Sequence, residues 1–188
     1  DFLAKPFEDL EIVARCNAML RIKSLQDQLR ATQEKLEELS VTDGLTGLKN
    51  RRFFDDRLGE EFRRAQRYSD PVSLIMVDLD HFKQVNDRYG HQTGDLVLRE
   101  AAALLRLSIR DTDIGARYGG EEFAVILPKT HLSGALAVAE RIWRELGKKV
   151  YRPDPPPAGQ AQELRVTASI GLAFYPSKDI ATSESLVK

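Results

Sequence analysis

The sequence predicts an α+β fold, a β-α-α-β-β-α-β core preceded by one long helix. Residues 8–39 contain neither Gly nor Pro and are dominated by helix formers. Short apolar runs with β-branched members recur at 72–77 and 123–127, the length of strands. Longer stretches of helical period separate and follow them, at 95–110 and 132–150. Strands joined by both a tight turn and helical crossovers give an antiparallel-containing sheet, expected to carry its helices on one face.

Composition narrows the class. With 188 residues and 42% apolar content, the chain is long enough for one packed domain plus an appendage. Its net charge of −1 argues against a general nucleic-acid or membrane-surface binder. Cys16, the single cysteine, excludes an internal disulfide and fits a reducing cytoplasm. No apolar run reaches the length of a membrane span and no signal-peptide pattern opens the chain, so the expectation is a cytoplasmic protein without direct membrane insertion.

Each element has its own signal. In the long helix Ile22, Leu25, Leu29, Thr32, Leu36 and Leu39 recur in steps of three and four, an a/d seam suited to a parallel homodimer. Leu10, Val13 and Leu20 fall on another phase, and e/g positions such as Gln26, Gln28, Gln33 and Lys35 are mostly neutral, so charge encodes partner choice weakly. Residues 43–50, with Gly44 and Gly47 and several capping types, read as a hinge. A helix over 51–68 is broken at Ser69-Asp70-Pro71. The strand ending at Asp78 is apolar enough to be buried on both faces. A short helix through Asn86, a glycine turn and a helix over 95–110 follow, the last with Leu98, Ala101, Leu105 and Ile109 inward. Strands over 114–118 and 123–127 form a hairpin, and the helix over 132–150 turns Leu136, Ala139, Trp143 and Leu146 inward. Pro153, Pro155, Pro156 and Pro157 force an exposed loop over 152–160. Leu164, Val166, Ala168 and Ile170 then alternate with Arg165, Thr167 and Ser169 as a half-buried strand.

The hairpin is the chemically dense part. Gly119 and Gly120 are expected to supply positive φ for a tight turn and to let a ligand approach the backbone. Glu121 and Glu122 stand side by side at its tip, where neighbouring carboxylates stay charged together only if a cation is supplied. Asp78 emerges at the rim of the core, where its charge calls for a metal, a basic group or a role as helix cap.

The run from Asp78-Leu79-Asp80-His81-Phe82-Lys83 through Asn86-Asp87, then Tyr89-Gly90-His91, Gly94-Asp95 and Gly119-Gly120-Glu121-Glu122-Phe123, resembles the GGDEF domain of diguanylate cyclases. Asp43-Gly44-Leu45-Thr46-Gly47-Leu48 and Asn50-Arg51-Arg52 resemble that family's opening motif. Glu121 stands where the family name has Asp, which keeps the carboxylate. The resemblance covers Ser40 to the end of the chain and implies a palm-like nucleotide cyclase fold with a ferredoxin-like core. It also implies an activity, joining two GTP into cyclic di-GMP with release of pyrophosphate.

That chemistry assigns roles. The 3′-hydroxyl of one GTP attacks the α-phosphorus of the other, and charge builds on the phosphoryl oxygens. The resemblance implies two Mg²⁺ ions per GTP site, with Mn²⁺ an alternative, held by Asp78, the main-chain carbonyl of Leu79 and Glu121. It gives the hydroxyl proton to either Glu121 or Glu122, sets Lys83 against the phosphates, and lists Phe82, Gly119 and Gly120 with the substrate contacts. Asp80 reads as a cap or a structural hydrogen-bond partner. Guanine presents N1-H and an exocyclic amine, which one carboxylate can bind together. Asp95 matches the residue in that role and Asn86 the amide that supplements it; Asp95 is also placed to favour a first helical turn.

Arg110-Asp111-Thr112-Asp113 forms an RxxD pattern with five residues between Asp113 and Gly119, the spacing of the family's inhibitory site for cyclic di-GMP. Arg141 and Arg64 match further arginines of that site. At the start, Lys5-Pro6 resembles the end of a response-regulator receiver domain. At the other end the family continues into a basic helix that a chain ending at Leu186-Val187-Lys188 lacks. The expected organisation is a receiver end over 1–21, a coiled-coil stalk and hinge over 22–41, and a GGDEF domain over 42–188. The rival readings are a GGDEF domain that only senses GTP or cyclic di-GMP, and a purely structural signalling dimer.

Overall fold

The computed structural model describes residues 9–39, 41–152 and 163–187. The chain divides after Ser40 into two compact units. The Lys5-Pro6 stretch and the proline-rich loop beyond Arg152 lie outside the described residues.

In the first unit, helix α1 spans Asp9–Leu39. Its described side chains bury nothing, and Val13, Met19, Leu20, Ile22, Leu25 and Leu29 are all exposed. No helix among the described residues is long and apolar enough to cross a membrane.

The second unit follows the expected order, with α2 at Arg51–Tyr68, β1 at Val72–Leu79, α3 at Phe82–Tyr89, α4 at His91–Leu107, β2 at Ile114–Gly119, β3 at Glu122–Pro128, α5 at Leu132–Lys148 and β4 at Ala168–Tyr175. A 3₁₀ turn over Ser183–Leu186 closes the described chain. The sheet order is β2-β3-β1-β4, and every neighbouring pair is antiparallel. β1 is central and buried on both faces: Ile75, Val77 and Leu79 join one core cluster and Val72 and Leu74 the other.

Helices cover both faces of this sheet, not one. α4 and α5 pack their apolar positions on the first face, whereas α2 lays Phe54, Leu58, Phe62 and Ala65 on the second. α2 is fixed at both ends: Asn50 accepts the Phe53 amide at 2.9 Å, and Ser69 closes it in the left-handed region at φ 56°.

Further expectations are corrected. α5 turns Ala135, Val138, Ala139, Ile142 and Leu146 inward, leaving Leu136 and Trp143 52% and 58% exposed. Two faces of this helix are apolar, and the one bearing Ala135 and Ala139 packs inward because small residues let the helix approach the sheet closely. α4 begins at His91 and ends at Leu107, because Gly90, at φ 83°, breaks the chain only for one residue and Ser108 then bonds back to the Leu104 carbonyl. Asp95 therefore sits beyond the first turn of α4, and Ile109 lies past its end. The burial alternation over 164–170 is present, but the ladder starts at Ala168, since Leu164 pairs only with Tyr151 in an isolated bridge.

Candidate functional site

The register of the central strand brings the acids together. Asp78 lies opposite Glu122 on β3 and opposite Ser169 on β4. The amide of Leu79 donates to the carbonyl of Glu121 at 3.3 Å, tying the end of β1 to the hairpin. Asp78 and Glu122 line a recess of 310 Å³ with Met76, Val77, Ser169, Ile170 and Gly171. Glu121, one residue back in the turn, lines a separate cleft of 410 Å³ with Phe82, Lys83, Asn86, His91, Asp95, Leu98, Arg117 and Gly120.

Neither hairpin glycine adopts positive φ, contrary to expectation. What Gly119 supplies is space, because a Cβ there would stand 2.8 Å from Oε2 of Glu122. A Cβ on Gly120 would meet nothing within 4 Å. Gly119 thus lets the Glu122 carboxylate fold back over the start of its own turn.

The donor set suits a hard divalent ion. No basic side chain among the described residues pairs with Asp78, Glu121 or Glu122. Nor does any group of three or more His, Cys, Asp or Glu side chains converge there among those residues. Two opposed carboxylates with room for further oxygen ligands are what Mg²⁺ takes when substrate phosphates and water complete its shell at about 2.0 to 2.1 Å.

The turn after β1 is built around Asp80. Its two carboxylate oxygens accept hydrogen bonds from Ser169 at 2.7 Å and Thr167 at 2.6 Å, and its amide donates to the Thr167 carbonyl at 2.9 Å. The Ser169 and Thr167 hydroxyls hold its carboxyl below the ordinary aspartate value. Asp80 is thus the structural partner. The residue capping α3 is His81, at φ 59° and without a side-chain cap bond, so Asp78 does not serve as the cap. α3 then sets Phe82, Lys83 and Asn86 on the cleft before Gly90 ends it.

The supposed hinge at 43–50 is a closed turn. The amide of Gly47 donates to the Asp43 carbonyl at 2.9 Å and the amide of Asp43 to the Leu48 carbonyl at 2.8 Å. The hydroxyl and amide of Thr46 donate to Oδ1 of Asp43 at 2.6 and 2.8 Å. Arg117, on β2, donates through Nε and Nη2 to the Gly120 carbonyl at 3.1 and 2.8 Å. Burial alone would raise the Asp43 carboxyl, but Thr46 and Arg117 outweigh it and hold the group below its ordinary range. Arg117 was not among the expected site residues. Its signal was an arginine two residues before a glycine pair, which on a strand returns to the same face as Gly119.

The expected inhibitory residues divide. Arg64 and Arg110 line one cavity of 590 Å³ between α2 and the loop after α4, together with Arg57, Glu61, Asp111 and Lys129. Asp113 and Arg141 do not line it. Asp113 accepts the Arg110 amide at 2.9 Å, which closes the RxxD turn on itself. Arg141 reaches from α5 to the Ser108 carbonyl at 2.6 Å.

Comparison with known proteins agrees with this arrangement. The sequence model of the family "Diguanylate cyclase, GGDEF domain" matches residues 40–188. The response regulator PleD of Caulobacter vibrioides is 40% identical over 188 residues, all of this chain but 40% of that protein. The crystal structure of the coiled coil and GGDEF domain of DgcB from Caulobacter crescentus in complex with c-di-GMP superposes with a TM-score of 0.71 at 29% identity, covering 96% of this chain and 89% of that one. The active GGEEF domain of a diguanylate cyclase from Vibrio cholerae superposes with a TM-score of 0.62 at 32% identity, covering 70% of this chain and 79% of that one. On fold, on motif order and on a match spanning most of its length, the chain belongs to the diguanylate cyclase GGDEF domain family.

Proposed function

We propose that this domain condenses two GTP molecules into cyclic di-GMP, expelling pyrophosphate, in the cytoplasm. The observation that carries the reading is the 410 Å³ cleft on which Lys83, Asn86, Asp95, Gly120 and Glu121 converge beside the opposed carboxylates of Asp78 and Glu122. Asp95 accepts from the guanine N1-H and amine, and Asn86 adds a second polar contact, so adenine leaves buried partners unsatisfied. Phe82 walls the cleft, and Gly119 and Gly120 keep the hairpin tip clear for ribose and phosphates. Lys83 has no carboxylate partner among the described residues and faces the same cleft, where an ammonium offsets charge on the phosphates. Glu121 or Glu122 accepts the proton of the attacking 3′-hydroxyl as the new P–O bond forms and the bond to pyrophosphate breaks. Asp78, Glu122, Glu121 and the Leu79 carbonyl are the oxygens available to Mg²⁺ or Mn²⁺, which when bound neutralise the phosphoryl charge.

One cleft holds one GTP, so two copies must face each other. The unburied seam of α1, with Ile22, Leu25 and Leu29 exposed, supports a parallel coiled-coil homodimer over 22–41. Residues 1–21 are read as the end of a receiver domain, which biases the geometry of the dimer, and 42–188 as the cyclase domain. Arg110 and Arg64, which share one cavity, hold the product where it inhibits, with Asp113 fixing the Arg110 turn and Arg141 reaching in from its separate place on α5.

The test is incubation with GTP and Mg²⁺ over a range of protein concentrations, following cyclic di-GMP and pyrophosphate, with Glu122→Ala as control. Product that rises more steeply than linearly with protein and disappears in the variant supports the reading, and Arg110→Ala should relieve its slowing as product accumulates. Tight cyclic di-GMP binding without any turnover would overturn it and leave a sensor.

A further inference from the structure

Gly94 is an anomaly in α4. It is buried inside a helix, its φ is ordinary, and glycine is a poorer helix former there than alanine. Backbone conformation does not require it, so the reason must be space. A Cβ at Gly94 would lie 2.0 Å from Oδ1 of Asn86, 3.0 Å from its Cγ and 3.2 Å from Cζ of Phe82. Both neighbours line the cleft that Asp95, the next residue, also lines.

The packing around it is tight for a physical reason. α3 and α4 meet at a single residue, Gly90, whose carbonyl accepts the amides of Thr93 at 3.1 Å and Gly94 at 3.2 Å, while its own amide donates to the Asn86 carbonyl at 2.9 Å. The hydroxyl of Thr93 closes the joint on the Tyr89 carbonyl at 2.8 Å. The last turn of α3 is therefore held against the first turn of α4, and the Asn86 carboxamide rests on the bare backbone of Gly94.

We propose that Gly94 is a positioning residue for base selection: by lacking a side chain it seats the carboxamide of Asn86 on the cleft wall next to Asp95. This rests on the reading of the cleft as the guanine site. A methyl group at 94 is compatible with the helix backbone, and the atom it meets most closely is the tip of a rotatable side chain, Oδ1 of Asn86. The carboxamide gives way furthest, turning out of the position from which it reads the base, while the Phe82 ring yields by a few tenths of an ångström. The variant keeps its fold yet chooses its nucleotide less well, a combination that a purely structural glycine does not produce.

The test uses the full chain with 3′-deoxy-GTP and 3′-deoxy-ATP, which lack the attacking hydroxyl, and measures binding by calorimetry in Mg²⁺ for the parent, Gly94→Ala, Asn86→Ala and the double variant. The parent should prefer the guanine nucleotide. Each single variant should lose on the order of tenfold of that preference. The double variant should match Asn86→Ala, and Gly94→Ala should still unfold in a single cooperative transition, as the parent does. A Gly94→Ala protein that keeps its preference where Asn86→Ala loses it overturns the proposal. So does a further loss when Gly94→Ala is added to Asn86→Ala, which would mean the methyl blocks the base directly. If the parent shows no guanine preference, or Asn86→Ala leaves it unchanged, the guanine reading of the cleft fails first and the role of Gly94 falls with it.

Discussion

Arg117 and Asp43 are joined across 74 positions of sequence, with Nη1 of the guanidinium 3.2 Å from Oδ2 of the carboxylate. The same guanidinium carries the Gly120 carbonyl on its other edge. One side chain thus fastens the entry turn of the domain to the hairpin that carries Glu121 and Glu122. Planar, multiply bonded arginine is not replaceable here by lysine, which offers a point charge and no fork. Arg117→Lys should lower the turnover of GTP by about tenfold or more while leaving the fold intact, because a loosened hairpin misplaces Glu121 by a fraction of an ångström. Steady-state kinetics beside a circular dichroism spectrum checks this.

Asp80 makes a separate prediction. Both of its oxygens are acceptors for hydroxyls on the β4 side, and Asp80→Asn turns one of them into a donor facing a donor. The variant should lose about 1 kcal/mol of stability and require more Mg²⁺ for half-maximal activity. Urea unfolding and a Mg²⁺ titration of turnover report the two effects. Asp80→Glu, which keeps the charge but not the reach, should recover neither.

The pH dependence has two limbs. Asp43 is held below its unfolded value near 3.9, so its contribution to stability is complete above about pH 4 and disappears as pH falls through the folded value. Asp43→Asn should therefore flatten the acid limb of the stability curve. At the other end, burial pushes the Tyr151 phenol up to about 12, with the Glu100 carboxylate adding to it. Its contribution is present below the unfolded value near 10 and is lost as pH rises towards 12. The Tyr151 hydroxyl is buried without a hydrogen-bond partner among the described residues, so Tyr151→Phe should remove the alkaline limb without destabilising the protein at neutral pH. Thermal melts from pH 3 to 11 measure both.

Substitutions on α5 separate its two apolar faces. Ile142→Ala removes a side chain that is 1% exposed and should cost about 2 to 4 kcal/mol, whereas Trp143→Ser should change stability by less than about 0.5 kcal/mol. Chemical denaturation of the two variants distinguishes the observed packing from the face that the sequence suggested.

That suggestion shows where sequence reading succeeds and where it stops. Periodicity identified α2 to the residue and β1 to within one, because Pro71 and the apolar run bound them sharply. Periodicity could not choose between Leu136-Trp143 and Ala135-Ile142, since both stripes are apolar and only the sheet surface decides which is admitted. The acids at 78, 121 and 122 were legible because carboxylates at the end of a buried strand and in a glycine turn are costly unless used. Their pairing was less so: Asp78 faces Glu122 through the register of β1 and β3, while Glu121 turns to the other cleft. Thr167 and Ser169 carried no mark of function, because each acts by what it touches across a strand or a turn.

The short helix α3 lies between two left-handed residues, His81 and Gly90. Phe82, Lys83 and Asn86, which line the cleft from this helix, travel with it, whereas Asp78 and Glu122 stand on the sheet. On the proposed reading, Asn86 for the base and Lys83 for the phosphates are therefore inherited together on one short piece of chain, apart from the strand acids. Exchange of that eight-residue segment would reshape one wall of the cleft without disturbing the strands beside it.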